Sequence, residues 1–116
     1  MDITTSELKK LIDSKEKLFL IDVRGKNELE YGTIPTSNNI PLPELGEAFN
    51  LSEEDFKNKY GFNKPTKTEK IIFYCRTGVR ADMAVEYLKQ KGYENIFSYR
   101  GSVKEWSQID DNVSMY

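Results

Sequence analysis

The chain has 116 residues, a formal net charge of −2, one cysteine and no histidine. That length suits one ordinary domain, which can bury a core without disulfide or metal staples. The composition excludes an intrachain disulfide, the usual structural zinc sets and any cysteine–histidine or serine–histidine catalytic pair, and the net charge gives a nucleic-acid role no overall support.

"TTSELKKLIDS" opens with Thr4 three residues before Glu7, a capping-box spacing, and Leu8, Leu11 and Ile12 follow at helical intervals. "KLFLIDVR" is a continuous apolar run that ends in charge, the pattern of a buried strand. "KNELEYG" predicts a short helix stopped by Gly32, and the proline-rich "TIPTSNNIPLP" predicts extended loop with a brief strand near Asn39 and Ile40. "PELGEAF" predicts a helical turn. "NLSEEDFKNKYGF", with Ser52 as cap and acids in its first turn, predicts a short helix. "KIIFYC" is a second buried strand. From Val79 to Lys91 the residues Val79, Met83, Ala84, Tyr87 and Leu88 form one apolar helical face, stopped by Gly92. "NIFSY" is a third strand, and "GSVKEWSQ" a last helical segment with Trp106.

Strands alternating with helices predict an α/β fold, with a mostly parallel central sheet flanked by helices, as a single domain over residues 1–116. No apolar run reaches the length of a membrane span, and "MDITTSELKK" lacks the apolar segment of a signal peptide. The expectation is a soluble protein of the cytoplasm, with the mitochondrial matrix as the other setting. It has no membrane and no nucleic-acid partner, and nothing in the sequence sets an oligomeric state. Carboxylates alone could hold a metal, but no calcium-loop spacing is present; no metal and no cofactor are expected.

In parallel α/β sheets, ligands bind beyond the carboxyl ends of the strands. Cys75 stands at such an end, in "IIFYCRTGVRADMA", with Arg76 and Arg80 inside the next five residues and Gly78 between them. A loop from a strand to a helix offers N–H groups to an anion, here from Arg76, Thr77, Gly78, Val79 and Arg80. Gly78 can take the positive φ that such a cradle needs. Two guanidinium groups and a helix N-terminus favour the thiolate of Cys75 with no base present. The same arginines suit an oxyanion such as sulfate, phosphate or thiosulfate. The plainer reading of Cys75 is a small buried apolar residue at a strand end; it leaves both arginines and the glycine unexplained. The other arginines, Arg24 and Arg100, also end apolar runs.

The loop "CRTGVR" resembles the six-residue active loop of rhodaneses, the thiosulfate sulfurtransferases. "FLIDVR", with Asp22 and Arg24, resembles that family's first signature strand. "ELEYGTIPTSNNIP", with Glu28, Gly32, Ile34, Pro35, Asn39 and Pro41, resembles its E-x-x-x-G-x-I-P…N-I-P segment. "GYENIFSYRGSVKEW", with Gly92, Tyr93, Gly101 and Trp106, resembles its C-terminal signature. The stretch from Phe49 to Cys75 resembles the insert of a single-domain eukaryotic subgroup that passes sulfur from thiosulfate to glutathione. Three departures stand out: Thr33 for a frequent histidine, Thr36-Ser37 for glycine-alanine, and Ser102 for a frequent second glycine. All three are expected to lie away from the Cys75 loop.

The resemblance implies a rhodanese-like three-layer domain and a two-step transfer. Thiolate Cys75 attacks the outer sulfur of thiosulfate, sulfite leaves, and the Cys75 persulfide gives its terminal sulfur to glutathione, to a protein thiol, or to cyanide in vitro. No second cysteine is present to resolve the persulfide, so the acceptor is external. Arg76 and Arg80 would bind the oxyanion, and the amides of residues 76–80 would cradle the persulfide. Asp22 and Arg24 are expected to pair and brace the sheet end; Tyr74, Phe97, Tyr99 and Trp106 are expected in the core. The competing readings are a protein-to-protein sulfur relay, a redox- or sulfide-sensing domain, and a phosphatase or arsenate reductase of related fold. Cysteine phosphatases resemble one another in a C-x5-R loop; here Cys75 to Arg80 is C-x4-R, a tighter cradle.

Overall fold

The computed structural model describes residues 2–116. Four strands form one parallel sheet in the order β2-β1-β3-β4: β1 is Phe19–Asp22, β2 Asn38–Asn39, β3 Ile71–Tyr74 and β4 Ile96–Ser98. β3 pairs in register with β1 (Phe19 with Ile71 through Asp22 with Tyr74) and on its other side with β4. Chain order runs outward in both directions from β1, to β2 on one side and to β3 and β4 on the other. The topological switch therefore lies between the carboxyl ends of β1 and β3, where Arg24 and Cys75 follow the strands.

Both faces of the sheet are covered, which is why its strands are apolar without alternation. On one face Ile21, Ile71, Phe73 and Cys75 pack with Phe49, Phe56, Ala84 and Leu88. These come from helices α2 (Leu45–Ala48), α3 (Glu53–Tyr60) and α4 (Val79–Gln90) and their connections. On the other, Leu20, Ile72 and Tyr74 pack with Leu8, Val103 and Trp106 from α1 (Thr5–Asp13) and α5 (Ser102–Trp106). This is a three-layer α/β sandwich.

Local chemistry accounts for the helix ends. The Thr4 hydroxyl accepts the Glu7 N–H while the Glu7 carboxylate accepts that of Thr4, the full capping box. Ser52 caps α3 through Asp55 N–H, and Gly61 closes it with a left-handed φ of 80°. "KNELEY" forms a 3-10 helix, Lys26–Tyr31, ended by Gly32.

The apolar face of α4 is rotated from the expected one. Ala81, Ala84, Val85 and Leu88 are buried, at i, i+3, i+4 and i+7, whereas Val79 and Met83 are 66% and 55% exposed. Ala81 and Ala84 let the helix approach the sheet closely beside Val85 and Leu88, and Val79 and Met83 fall on the opposite side. Tyr74, Tyr99 and Trp106 lie in the core, and Phe97 is half-buried at its edge.

The segment after α5 folds back over the 3-10 helix. Ser114 N–H donates to the Tyr31 carbonyl at 2.8 Å. Gly32, at φ 101°, is what permits the approach, because a Cβ there would run into the Asn112 carbonyl oxygen and come within 2.9 Å of Val113 Cα. Gly32→Ala is expected to destabilise the fold by about 1–3 kcal/mol, since backbone strain and a backbone clash coincide. Hydrogen exchange should show residues 110–116 loosened first, measured beside a thermal melt.

Candidate active site

The site starts at the carboxyl end of β1. Arg24 is fully buried. Its Nε and Nη2 donate to the Asp22 carboxylate at 2.7–3.0 Å, and the Arg24 N–H donates to the same group. Nη2 also reaches the Gly32 carbonyl at 2.8 Å, and Nη1 the Glu28 carbonyl at 3.3 Å and the Tyr116 hydroxyl at 3.2 Å. A buried guanidinium survives only when its donors are met, and these bonds meet them. They also fix the 3-10 helix against the sheet end. The Asn39 amide closes the corner by donating to the Asp22 and Arg24 carbonyls.

The fixed 3-10 helix presents Glu28. One carboxylate collects four donors: Arg80 Nη1 at 2.6 Å, Arg80 Nη2 at 2.9 Å, the Tyr116 hydroxyl at 2.6 Å and the Gly25 N–H at 3.0 Å. The Arg80 hydrogen bonds, helped by those of Tyr116 and Gly25 against partial burial, hold the Glu28 carboxyl down to about 2. The reciprocal bonds from Glu28 raise the basicity of Arg80, and the Cys75 sulfur acts in the same direction.

Cys75 is buried where β3 ends. Gly78 N–H donates to its sulfur at 3.1 Å. Gly78 sits at φ 105° with its Cα against the Arg100 carbonyl, 2.6 Å from where a Cβ would be, so no other residue fits without moving backbone. The loop's carbonyls are taken up from behind: Val103 N–H donates to the Cys75 carbonyl and Lys104 N–H to that of Arg76, at 3.1 and 3.0 Å. Beside the Gly78 N–H, the first-turn amides of α4 have no intrahelical partner. Thr77 and Val79 have exposed side chains at the rim of the loop.

The two loop arginines are used differently. Arg80 has its fork on Glu28. Arg76 makes no ion pair among the described residues; its guanidinium lies 4.8 Å from the centre of the Tyr116 ring, and its Nε is buried with no partner. Arg100 points away from the site. It is exposed and pairs with Asp2 and Asp82 at 3.2–3.4 Å.

One expectation is corrected here. Ser102 does touch the Cys75 loop: its hydroxyl accepts the Cys75 N–H at 3.2 Å, donates to the Tyr99 carbonyl at 2.7 Å, and lies 4.0 Å from the Cys75 sulfur. A glycine at this position would leave that buried N–H without the hydroxyl. Glu28 entered the sequence reading only as a motif letter, and Tyr116 carried no signal at all. Both act through contacts distant in sequence, 52 residues apart for Arg80–Glu28 and 88 for Tyr116–Glu28. Among the described residues, no cluster of carboxylates or cysteine is placed to hold a metal ion.

Residues 4–109 match the Rhodanese-like domain family. A Drosophila melanogaster relative, Rhodanese domain-containing protein CG4456, is 48% identical over 107 residues, 91% of this chain and 96% of its own. The Homo sapiens Thiosulfate:glutathione sulfurtransferase is 34% identical over 106 residues, 90% of each. Among solved structures, the human single-domain sulfurtransferase TSTD1 superposes with a TM-score of 0.89 at 31% identity, covering 94% of this chain and 96% of that one. The Saccharomyces cerevisiae single-domain sulfurtransferase RDL2 gives 0.82 at 35% identity, over 92% and 88%. With Cys75 at the head of its six-residue loop, this chain belongs to the rhodanese-like family of sulfurtransferases.

Proposed function

We propose that the chain moves the sulfane sulfur of thiosulfate through a Cys75 persulfide to a thiol acceptor such as glutathione, releasing sulfite. The observation that carries this reading is the Gly78 N–H donating to the Cys75 sulfur in a loop whose Cys75 and Arg76 carbonyls are bonded to α5. The name of the human relative, Thiosulfate:glutathione sulfurtransferase, supports the donor and acceptor, and that of the human structural neighbour supports sulfur transfer.

In the first step the Cys75 sulfur attacks the outer sulfur of thiosulfate. A Cys75 S–S bond forms, the sulfur–sulfur bond of thiosulfate breaks, and sulfite leaves with that electron pair. In the second, the thiolate of the acceptor attacks the terminal sulfur and the Cys75 thiolate departs. Arg76, with no carboxylate on its guanidinium, receives the sulfonate end of the donor. Arg80, braced by Glu28, adds positive charge beside the sulfur and uses its remaining N–H groups there. The amides from Arg76 through Thr77, Gly78 and Val79 to Arg80 cradle the persulfide, whose extra charge they meet as hydrogen-bond donors.

A protein thiol in place of glutathione shares the first step and differs in the second. The C-x4-R loop disfavours phosphoryl transfer. Among the described residues, no helix is long and apolar enough to cross a membrane. A cytoplasmic or mitochondrial-matrix setting supplies the reduced thiols this chemistry needs, and two of the fungal relatives are named mitochondrial.

Intact mass of the reduced protein should rise by one sulfur on adding thiosulfate and fall back on adding glutathione, whereas Cys75→Ser shows no gain and melts like wild type. Sulfur uptake by Cys75→Ser would overturn the assignment; uptake that glutathione cannot reverse would move the acceptor to a protein thiol. The Glu28–Arg80 pair has its own signature. Because folding lowers the Glu28 carboxyl from 4.5 to about 2, its stabilisation is full above pH 4.5 and lost as pH falls through about 2. Denaturation of wild type and Glu28→Gln should therefore show a stability gap that is constant at pH 6–8 and closes between pH 4.5 and 2. A pH-independent gap would mean that the carboxylate charge is not what holds Arg80.

A further inference from the structure

Tyr116 lies outside the part of the chain that matches the family, residues 4–109, yet it stands at the centre of the site. Its hydroxyl donates to Glu28 at 2.6 Å and accepts from Arg24 at 3.2 Å. Its ring stacks on Tyr31, with centroids 4.3 Å apart and planes 12° off parallel. The backbone bond from Ser114 to Tyr31 and the close pass over Gly32 hold its segment in place. Against this fixed ring lies the guanidinium of Arg76.

The contact matters because of what it leaves free. A carboxylate partner takes up in-plane N–H donors, as Glu28 does with Arg80. An aromatic face engages the π surface of a guanidinium and leaves its in-plane donors available. An unrestrained arginine would spread over many rotamers and pay that entropy on meeting an anion. The ring removes part of that cost beforehand, and the same Tyr116 is tied through Glu28 to Arg80. One residue thus fixes both arginines of the loop relative to each other, one by its face and one through its hydroxyl.

We propose that Tyr116 is a positioning residue for the donor half-reaction, its ring holding the Arg76 guanidinium with the N–H edge free to meet the sulfonate of thiosulfate. This rests on the reading of Cys75 as the persulfide carrier. The role belongs to the first step: once sulfite has left, the anion that Arg76 meets is gone. Tyr116 is therefore expected to act on thiosulfate saturation and not on delivery of sulfur to the acceptor.

The test follows both half-reactions separately in the reduced full-length protein. Persulfide formation is timed by intact mass over a range of thiosulfate concentrations, and discharge of the preformed persulfide is timed with glutathione. For Tyr116→Leu the half-saturating thiosulfate concentration should rise about five- to tenfold, the worth of one cation–π contact, while discharge stays within about twofold. Tyr116→Phe, which keeps the ring, should recover most of the loss. In an Arg76→Gln background, Tyr116→Leu should add little, because the group it positions is gone. A thermal melt of each variant accompanies the kinetics. Equal half-saturation in wild type and Tyr116→Leu would overturn the proposal. So would equal damage to both half-reactions, or a Tyr116→Phe variant as impaired as Tyr116→Leu, which would shift the role from ring to hydroxyl. A wild type that takes up no sulfur would remove the donor reading itself and this inference with it, whatever the variants do.

Discussion

The burial of one full charge organises this end of the molecule. Arg24 has no exposed surface, and a guanidinium in that position is tolerated only if its N–H groups find acceptors. It finds them on three different segments: the Asp22 carboxylate in β1, the Glu28 and Gly32 carbonyls of the 3-10 turn, and the Tyr116 hydroxyl. The requirement to satisfy Arg24 therefore locks the strand end, the turn and the last segment together. Glu28 is positioned as a consequence, and through Glu28 so is Arg80. The site is built outward from a buried pair that itself need not touch a substrate.

The charges near Cys75 are graded by this arrangement. Arg80 is neutralised in part by Glu28 and is held close. Arg76 keeps its charge unpaired among the described residues. A loop with two free arginines would repel itself and wander; a loop with both paired to carboxylates would have nothing to offer an anion. One brace and one open cation reconcile order with affinity. The sulfur itself accepts from the Gly78 amide, which lies in a backbone conformation that side chains rarely adopt, so one of its contacts is set by main chain.

How much of this the sequence shows depends on the distance over which each contact acts. The Thr4 and Ser52 caps, the Gly78 turn and the buried runs of β1 and β3 are local and could be read directly. On α4 the expected Ala84 and Leu88 are buried, but the face is centred on Ala81, Ala84, Val85 and Leu88, which leaves Val79 and Met83 to solvent. Ser102 reaches Cys75 from 27 residues away, and as a replaced glycine it looked neutral until the hydroxyl was seen to accept the Cys75 N–H. Tyr116 belongs to no motif. Its place follows from Gly32, whose missing Cβ admits the returning chain, and a glycine in a turn does not announce what it admits.

The absence of histidine, which set the question of how a lone cysteine could act, has a chemical answer under the proposed reaction. A thiolate attacking thiosulfate expels sulfite, an anion that leaves without needing a proton. A thiolate acceptor attacking the persulfide expels the Cys75 thiolate, again with no proton to move. Neither step asks for general acid or base, so a histidine would have no task. What both steps need is accommodation of negative charge that moves from one sulfur to the next. Backbone amides and arginines provide that at any pH where the protein is folded, and a titrating imidazole would provide it only below its own pKa. A site made of amides, two arginines and one carboxylate held down to about 2 is one in which the electrostatic field stays constant while sulfur passes through.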